Sequence, residues 1–440
     1  MLSLEELYKI YLQYPYIVTD SRKITRGCLF FALRGTNFNG NDFALQALEN
    51  GAAYAIVDRE SLAGTTRCLY CTNVLETLQL LARHHRNQFD IPMIAITGSN
   101  GKTTTKELVY AVLSSHYHTH ATQGNFNNEI GVPLTLLAMP EQTEIAIIEM
   151  GANHQGEIDF LCRIAEPTHG LITNIGKAHL EGFGGFEGVK KGKSELYRYL
   201  RDHRGLIFLN MNERHLSELA ENTARKILYA RSQHPDRHHI PVEGKFITAD
   251  PYVRMAFLNE QWELTEINSR LIGSYNFNNI LTAVTLGKYF KVPSQKIKAA
   301  IEGYIPANNR SQLVQKGSNH FILDAYNANP SSMRAALEHF AHIEDDQPRI
   351  AILGDMLELG KEALAEHHSI LQYAQQLPLQ MLLLVGSTFS QSYQSAPGTD
   401  MPVICFEQVG ELKSWFDKQH FENTRFLVKG SRGIKLEEVL

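Results

Sequence analysis

The chain has 440 residues, more than one ordinary core organises, so two or three domains are expected. Its 43% hydrophobic and 20% charged content is that of a soluble globular protein, and a formal net charge of −5 gives no general field for nucleic acid. No run of about 18 apolar residues is present to span a membrane, and five sparse cysteines point to a reducing, cytoplasmic setting.

In chain order, the opening MLSLEELYKIYLQYP is acidic and amphipathic, without the charge layout of a signal peptide. A small α/β unit is expected over residues 1–88. It contains DSRKITRGCLFFALRG (20–35) and a lone C-x-x-C pair, Cys68 and Cys71, read as two buried cysteines on a strand because no second pair completes a zinc site. His84 and His85 read as a surface pair, as do His238 and His239.

Short apolar runs then alternate with longer amphipathic stretches: IPMIAIT (91–97), EIAIIEM (144–150), HGLITNI (169–175), RIAILG (349–354), MLLLVG (381–386) and RFLVKG (425–430). Such runs predict buried parallel strands, with ligands gathered at their carboxyl ends. A second domain is expected over 89–306 and a third over 307–440. Pro306 marks the break, and residues 303–309 form a candidate hinge. The polar stretch 231–244 reads as a surface connection.

The strongest local signal is IAITGSNGKTTTKELV (94–109), an apolar strand running through Gly98, Ser99, Asn100 and Gly101 into a helical segment. Glycines let backbone N–H groups wrap a phosphate, and the helix N-terminus adds its dipole. Lys102 is placed to neutralise β and γ phosphates, and Thr103 or Thr104 to offer a hydroxyl to magnesium. The full Walker pattern would need glycine at position 96, which is Ile96. Glu149 and His179 each follow a predicted strand and should reach the same edge, where carboxylate and imidazole suit a metal. His116, His118 and His120 alternate but have no acidic partner nearby in sequence.

The shortened loop T-G-x-N-G-K-T-T resembles that of the Mur ligases and of folylpolyglutamate synthetases. GNFNNEIGVPLTLL (124–137), EMGANHQGEI (149–158), TNIGKAHLEGFGG (173–185) and GSYNFNN (273–279) are similar to Mur ligase segments throughout. DAYNANPSSM (324–333), ILGDMLELG (352–360) and LVKGSRGIKLE (427–437) resemble the branch that adds a D-alanyl-D-alanine dipeptide.

The resemblance implies three α/β domains: a small UDP-binding unit, a central P-loop-type ATPase with a mostly parallel sheet, and a C-terminal Rossmann-like unit. It implies an enzyme that forms a carbon–nitrogen bond, joining D-alanyl-D-alanine to UDP-N-acetylmuramoyl-tripeptide for peptidoglycan synthesis. ATP and two magnesium ions are its implied cofactors, small molecules its partners, and a monomer its state.

Residue by residue, the resemblance places Thr103 and Glu149 on one magnesium, and His179 and a carbamylated Lys193 on the second. It gives Asn276 and Asn279 to adenine, with Tyr275 standing where the family has histidine. Arg310 falls to the nucleotide phosphates and Asp324 to the ribose. Tyr326, Asn327 and Asn329 become candidates for the dipeptide, Ser21 and Arg22 for the UDP end, and Asn125, Asn127 and Asn128 for the muramoyl peptide. A sister ligase adding a diamino acid would carry a D-N-P-[RK] signature, which is absent. A non-catalytic UDP-sugar-binding protein would lack Lys102, Glu149, His179 or Lys193, and all four are present.

Overall fold

The structure, a computed structural model, describes residues 3–235, 241–306, 310–395 and 401–440. Three sheets organise it. The first holds β1 (Ile17–Val18), β2 (Leu29–Phe31), β3 (Tyr54–Val57) and β4 (Cys68–Tyr70), all parallel in the order β1-β2-β3-β4. The chain's opening stretch is the helix Leu4–Gln13, started by a capping box between Ser3 and Glu6 that satisfies orphan N–H groups.

The central sheet is built from β5 (Met93–Thr97), β6 (Thr119–Ala121), β7 (Ile145–Glu149), β8 (His169–Ile172), β9 (Leu206–Asn210), β10 (Lys226–Arg231), β11 (Val242–Thr248), β12 (Arg254–Leu258) and β13 (Leu264–Asn268). Its order is β13-β12-β11-β10-β9-β8-β5-β7-β6. Every pairing from β6 to β11 is parallel, and β12 and β13 continue as an antiparallel edge. β5 lies between β7 and β8 and is wholly buried. A strand with no exposed face must be apolar throughout, which explains why MIAIT shows no alternation. The third sheet runs β14 (Gln312–Lys316), β15 (Asn319–Leu323), β19 (Arg425–Lys429), β16 (Arg349–Gly354), β17 (Met381–Val385) and β18 (Val403–Phe406), with only the β14–β15 pair antiparallel.

Parallel strands point their carboxyl ends the same way. The segments after β5, β7 and β8 therefore emerge together, and they face the segments after β15 and β19 of the third sheet.

Several expectations change in three dimensions. Cys68 lies on β4 and Cys71 one residue past its end. Both are half-buried rather than buried, and desolvation raises both thiols. His85 is no surface residue: it is 5% exposed, with Tyr8 Oη 3.1 Å from its Nδ1 and Tyr11 Oη 3.4 Å from its Nε2. It sits where the helix Val74–Arg86 packs on the helix Gly131–Leu137, joining the first sheet's unit to the central one. His84 is half-buried, its ring centroid 4.5 Å from that of Tyr8. His120 is on β6 and contacts the Thr135 carbonyl, whereas His116 precedes the strand beside Lys296. The 231–244 stretch ends in strand on both sides, and residues 236–240, including His238 and His239, lie outside the described residues. So do residues 307–309 of the expected hinge.

Candidate active site

The turn after β5 is tight enough to need glycine twice. Gly98 has φ +142° and Gly101 φ +78°. A Cβ on Gly98 would stand 2.0 Å from Thr173 Oγ1, and one on Gly101 2.7 Å from Asn279 Oδ1. The residues following β8 pin this loop. Thr173 Oγ1 donates to the Asn100 carbonyl at 2.6 Å, Asn174 Nδ2 to the same oxygen at 3.0 Å, and Asn100 N–H to Asn174 Oδ1 at 3.0 Å. Ser99 bonds across to Gly176 in both directions.

The helix Lys102–Ser114 then starts after Gly101 with no side-chain cap, and a helix N-terminus left uncapped suits an anion. Lys102 Nζ donates to the carbonyls of Gly98 and Ser99 at 2.8 and 3.2 Å. Desolvation lowers its pKa, with Glu149 opposing and Arg310 reinforcing the shift.

Glu149 ends β7 and is 1% exposed. Its Oε1 accepts from Thr103 Oγ1 at 3.2 Å and from Asn127 Nδ2 at 2.7 Å, while Oε2 is buried with no hydrogen-bond partner among the described residues. A buried carboxylate oxygen without a donor is costly, so the pair of Thr103 hydroxyl and bare Oε2 fits a divalent cation. Thr104 follows in the same buried turn. Asn128 Oδ1 instead accepts the N–H groups of Ile130 and Gly131, capping the helix Gly131–Leu137, and Asn125 lines the cavity in front.

Lys193 lies on the helix Phe186–Asp202 and is 1% exposed. Its ammonium has the Ala152 carbonyl at 3.3 Å and the Phe183 ring centroid at 5.2 Å. Burial drives its pKa well below that of an ordinary lysine, Lys102 adds to this, and Glu157 and Glu195 oppose it. Glu195, two residues on, accepts the N–H groups of Gly156 and Asp159 at 2.6 and 3.0 Å, so it caps the helix Glu157–Ala165. His179 adopts φ +52°, and its Nδ1 stands 2.6 Å from Glu358 Oε2 of the third-sheet unit.

That unit supplies the opposite wall. Asp324, just after β15, pairs with Lys429 Nζ at 2.5 Å and accepts the Ser311 N–H at 3.1 Å. Arg310 stacks on Tyr326, 3.6 Å from the ring centroid, and Arg432 lies 5.2 Å from the same ring. Asn329 caps the helix Pro330–Ala341 and reaches across to Asn100, its Nδ2 donating to Asn100 Oδ1 at 2.7 Å. Asn327 is exposed, and its Oδ1 accepts the N–H of Ala328. Tyr275 is tied to Ser311 at 2.8 Å. Asn276 and Asn279 bond to each other at 2.7 Å, with Asn276 also held by the Ile272 carbonyl and Asn279 by Thr105. Lys177 pairs with Glu366, and its N–H donates to Ser331 Oγ at 3.1 Å, closing the rim. A cavity of about 790 Å³ lies between the two walls.

Comparison with known proteins bears on this arrangement. Residues 13–88 match the Mur ligase family catalytic domain, 96–287 the Mur ligase middle domain, and 309–432 the Mur ligase glutamate ligase domain. A UDP-N-acetylmuramoyl-tripeptide–D-alanyl-D-alanine ligase of Haemophilus influenzae is 33% identical over 97% of this chain and 93% of its own. The Bacillus subtilis ligase of that name is 36% identical over 78% of this chain and 74% of its own.

The chain belongs to the Mur ligase family.

In three dimensions it is similar to MurF from Acinetobacter baumannii, with TM-score 0.87 and 30% identity over 99% of this chain and 97% of that one. MurF from Thermotoga maritima in complex with ADP shares the fold, at TM-score 0.83, 22% identity, and 97% and 96% coverage.

Within this Mur ligase the loop from Ser99 to Thr104, Glu149, His179, Asn276, Asn279, Arg310, Asp324, Tyr326 and the asparagines named above all line one cavity, with Gly98 outside its lining. Lys193 stands just behind it, through Ala152. Ser21 and Arg22 do not join them. They form a short turn in the first-sheet unit, where Arg22 makes a two-pronged pair with Asp20 at 2.9 and 2.8 Å. Asn174, Glu358, Lys429 and Arg432 went unassigned from sequence. Each lies inside a motif that carries the resemblance, so the signal was membership of those motifs, and only proximity separates them from their neighbours.

Proposed function

We propose that this protein is an ATP-dependent ligase that joins D-alanyl-D-alanine to UDP-N-acetylmuramoyl-tripeptide through an acyl phosphate, releasing ADP and phosphate. The observation that carries this reading is a cavity with a phosphate loop on one domain and Arg310, Asp324 and Lys429 on another, in a chain whose full-length relatives bear that name. The domains are taken as 1–88, 89–306 and 307–440. The UDP end falls to the first, near Ser21 and Arg22.

The tripeptide carboxylate and the triphosphate are both anions, so their approach needs cations between them. Loop N–H groups and the Lys102 ammonium hold the phosphates, and Arg310 meets them from the far wall. Lys102 must turn from its loop carbonyls to do so. Thr103 and Glu149 are the residues fitted to one magnesium ion, and His179 with a carbamylated Lys193 to a second. Bound there, magnesium supplies charge neutralisation on the transferred phosphoryl group. Burial and the nearby Lys102 both lower the Lys193 pKa, which eases the loss of the proton that carbamate formation requires, and a carbamate would answer a cation beside it. Asp324, fixed by Lys429 and Ser311 N–H, has the rigidity to hold a ribose hydroxyl. The chemistry asks little covalent work of the protein, so positioning across two domains dominates.

Product analysis by mass spectrometry tests this. Incubation with ATP, D-alanyl-D-alanine and UDP-muramoyl-tripeptide should give the pentapeptide. Equal product from UDP-muramoyl-dipeptide and a free diamino acid would instead make it the sister ligase.

A further inference from the structure

A second, smaller cavity of about 300 Å³ borders the phosphate loop and is not explained by the nucleotide contacts above. One wall is Thr103 and Asn125, and the other is Arg310, Tyr326, Arg432 and Glu437. Its volume is at the low end of small-molecule sites.

Two features mark it as built for a charged ligand. First, the Tyr326 ring carries a guanidinium at 3.6 Å from Arg310 and another at 5.2 Å from Arg432, and neither arginine has an ion-pair partner among the described residues. The ring's π face orients both cations without neutralising them. Second, Glu437 Oε2 is buried and has no hydrogen-bond partner among the described residues. Arg432 and Glu437 share the cavity, five positions apart in sequence, yet do not pair with each other. A free guanidinium and an unanswered carboxylate on one wall complement a small molecule that carries both an ammonium and a carboxylate. The other wall is Thr103, beside Glu149, where the transferred phosphoryl group is expected.

We propose that this cavity receives the amino acceptor as a zwitterion, with Arg432 clamping its terminal carboxylate from the Tyr326 platform and Glu437 facing its ammonium. The inference rests on the ligase reading above and assigns the acceptor's carboxylate to a residue outside the DAYNANP motif. Arg310 is left for the nucleotide. A guanidinium fits a carboxylate two-pronged, which a lysine cannot reproduce.

The test compares D-alanyl-D-alanine with its C-terminal amide as acceptors, following phosphate release in the full chain. The unaltered protein should prefer the acid by roughly 10- to 100-fold in kcat/KM, the range for a charge-assisted hydrogen-bonded pair. Arg432→Ala should raise KM for the acid by a similar factor and erase the acid-over-amide preference. KM for ATP and for the muramoyl substrate should stay within about twofold, since those contacts are untouched. Arg432→Lys, which keeps the charge and guards against a folding defect, should retain part of the preference. Glu437→Gln should raise the dipeptide KM while leaving the preference for the acid in place. A preference that survives in Arg432→Ala, or a KM for ATP that rises in parallel, overturns the clamp while the ligase reading stands. No product from the unaltered protein with any dipeptide overturns the ligase reading itself.

Discussion

Gly98→Ala tests the phosphate loop most directly, because its cost can be worked from the geometry. The new methyl group would lie 2.0 Å from Thr173 Oγ1 and 3.0 Å from Thr173 N, at φ +142°. Overpacking of this kind costs about 1–3 kcal/mol. The backbone conformation adds about 1–2 kcal/mol for any residue with a Cβ. Pushing the Thr173 hydroxyl aside also breaks its 2.6 Å bond to the Asn100 carbonyl, worth about 1 kcal/mol. The sum is roughly 3–6 kcal/mol, which a loop under no other constraint would relieve by distorting. Thermal unfolding and calorimetric ADP binding read out both results. The midpoint should fall by roughly 5–15 °C, at a few degrees per kcal/mol, and ADP affinity should drop by at least about tenfold. Thr173→Ala removes the atom nearest the methyl group, so the double variant should be more stable than the sum of the singles by about 1–3 kcal/mol. A Gly98→Ala protein that melts and binds ADP like its parent refutes the argument, as does strict additivity in the double variant.

Lys102→Ala should lower turnover by about two to three orders of magnitude, as loss of a cation acting on transferring phosphate does. Its circular dichroism spectrum should not change, because Lys102 bonds only to its own loop carbonyls. Lys193→Ala should be poorly active and partly restored by a small added carboxylate, and intact-mass measurement in bicarbonate should find a carbamate on the unaltered protein. Full activity in that variant removes the carbamate from the mechanism. Stability should fall on acidification between pH 6.5 and about 4. His169 and His339 are each held at about 4, chiefly by burial, with Arg225 adding to the shift at His169. An unfolded chain therefore binds protons in this window that the folded chain does not, at a cost of up to about 3 kcal/mol per histidine across the whole window. His169→Asn should flatten the slope of unfolding free energy against pH, and an unchanged slope would rule that residue out. Scattering with an ATP analogue and the muramoyl substrate should show a smaller radius of gyration, because the ligands bridge two domains. An unchanged radius at saturation favours a preassembled site.

Much of this protein was legible in its sequence for local reasons. RIAILG is the strand Arg349–Gly354 residue for residue, and RFLVKG contains Arg425–Lys429, because strands buried on both faces must be apolar without interruption. The phosphate loop was legible because a turn with φ +142° and +78° demands glycine, and the demand is written in the chain. Glu149 could be placed because a parallel sheet brings the carboxyl ends of its strands to one edge.

The sequence left open which side chains meet across distance. Asp324 finds Lys429, 105 residues away, and Asn100 finds Asn329, 229 residues away. No local period predicts either. His179 faces Glu358, His85 is enclosed by Tyr8 and Tyr11, and Asn128 and Glu195 are taken by helix caps. A backbone element follows from neighbours a few residues apart, through dihedral preference and the burial of one face. A buried polar pair follows from which elements pack together, since a polar group hidden from water must find whatever partner the packing brings. For that reason the sequence determined the strands and the loop, and only the tertiary structure decided that two arginines flank Tyr326 beside an unanswered Glu437.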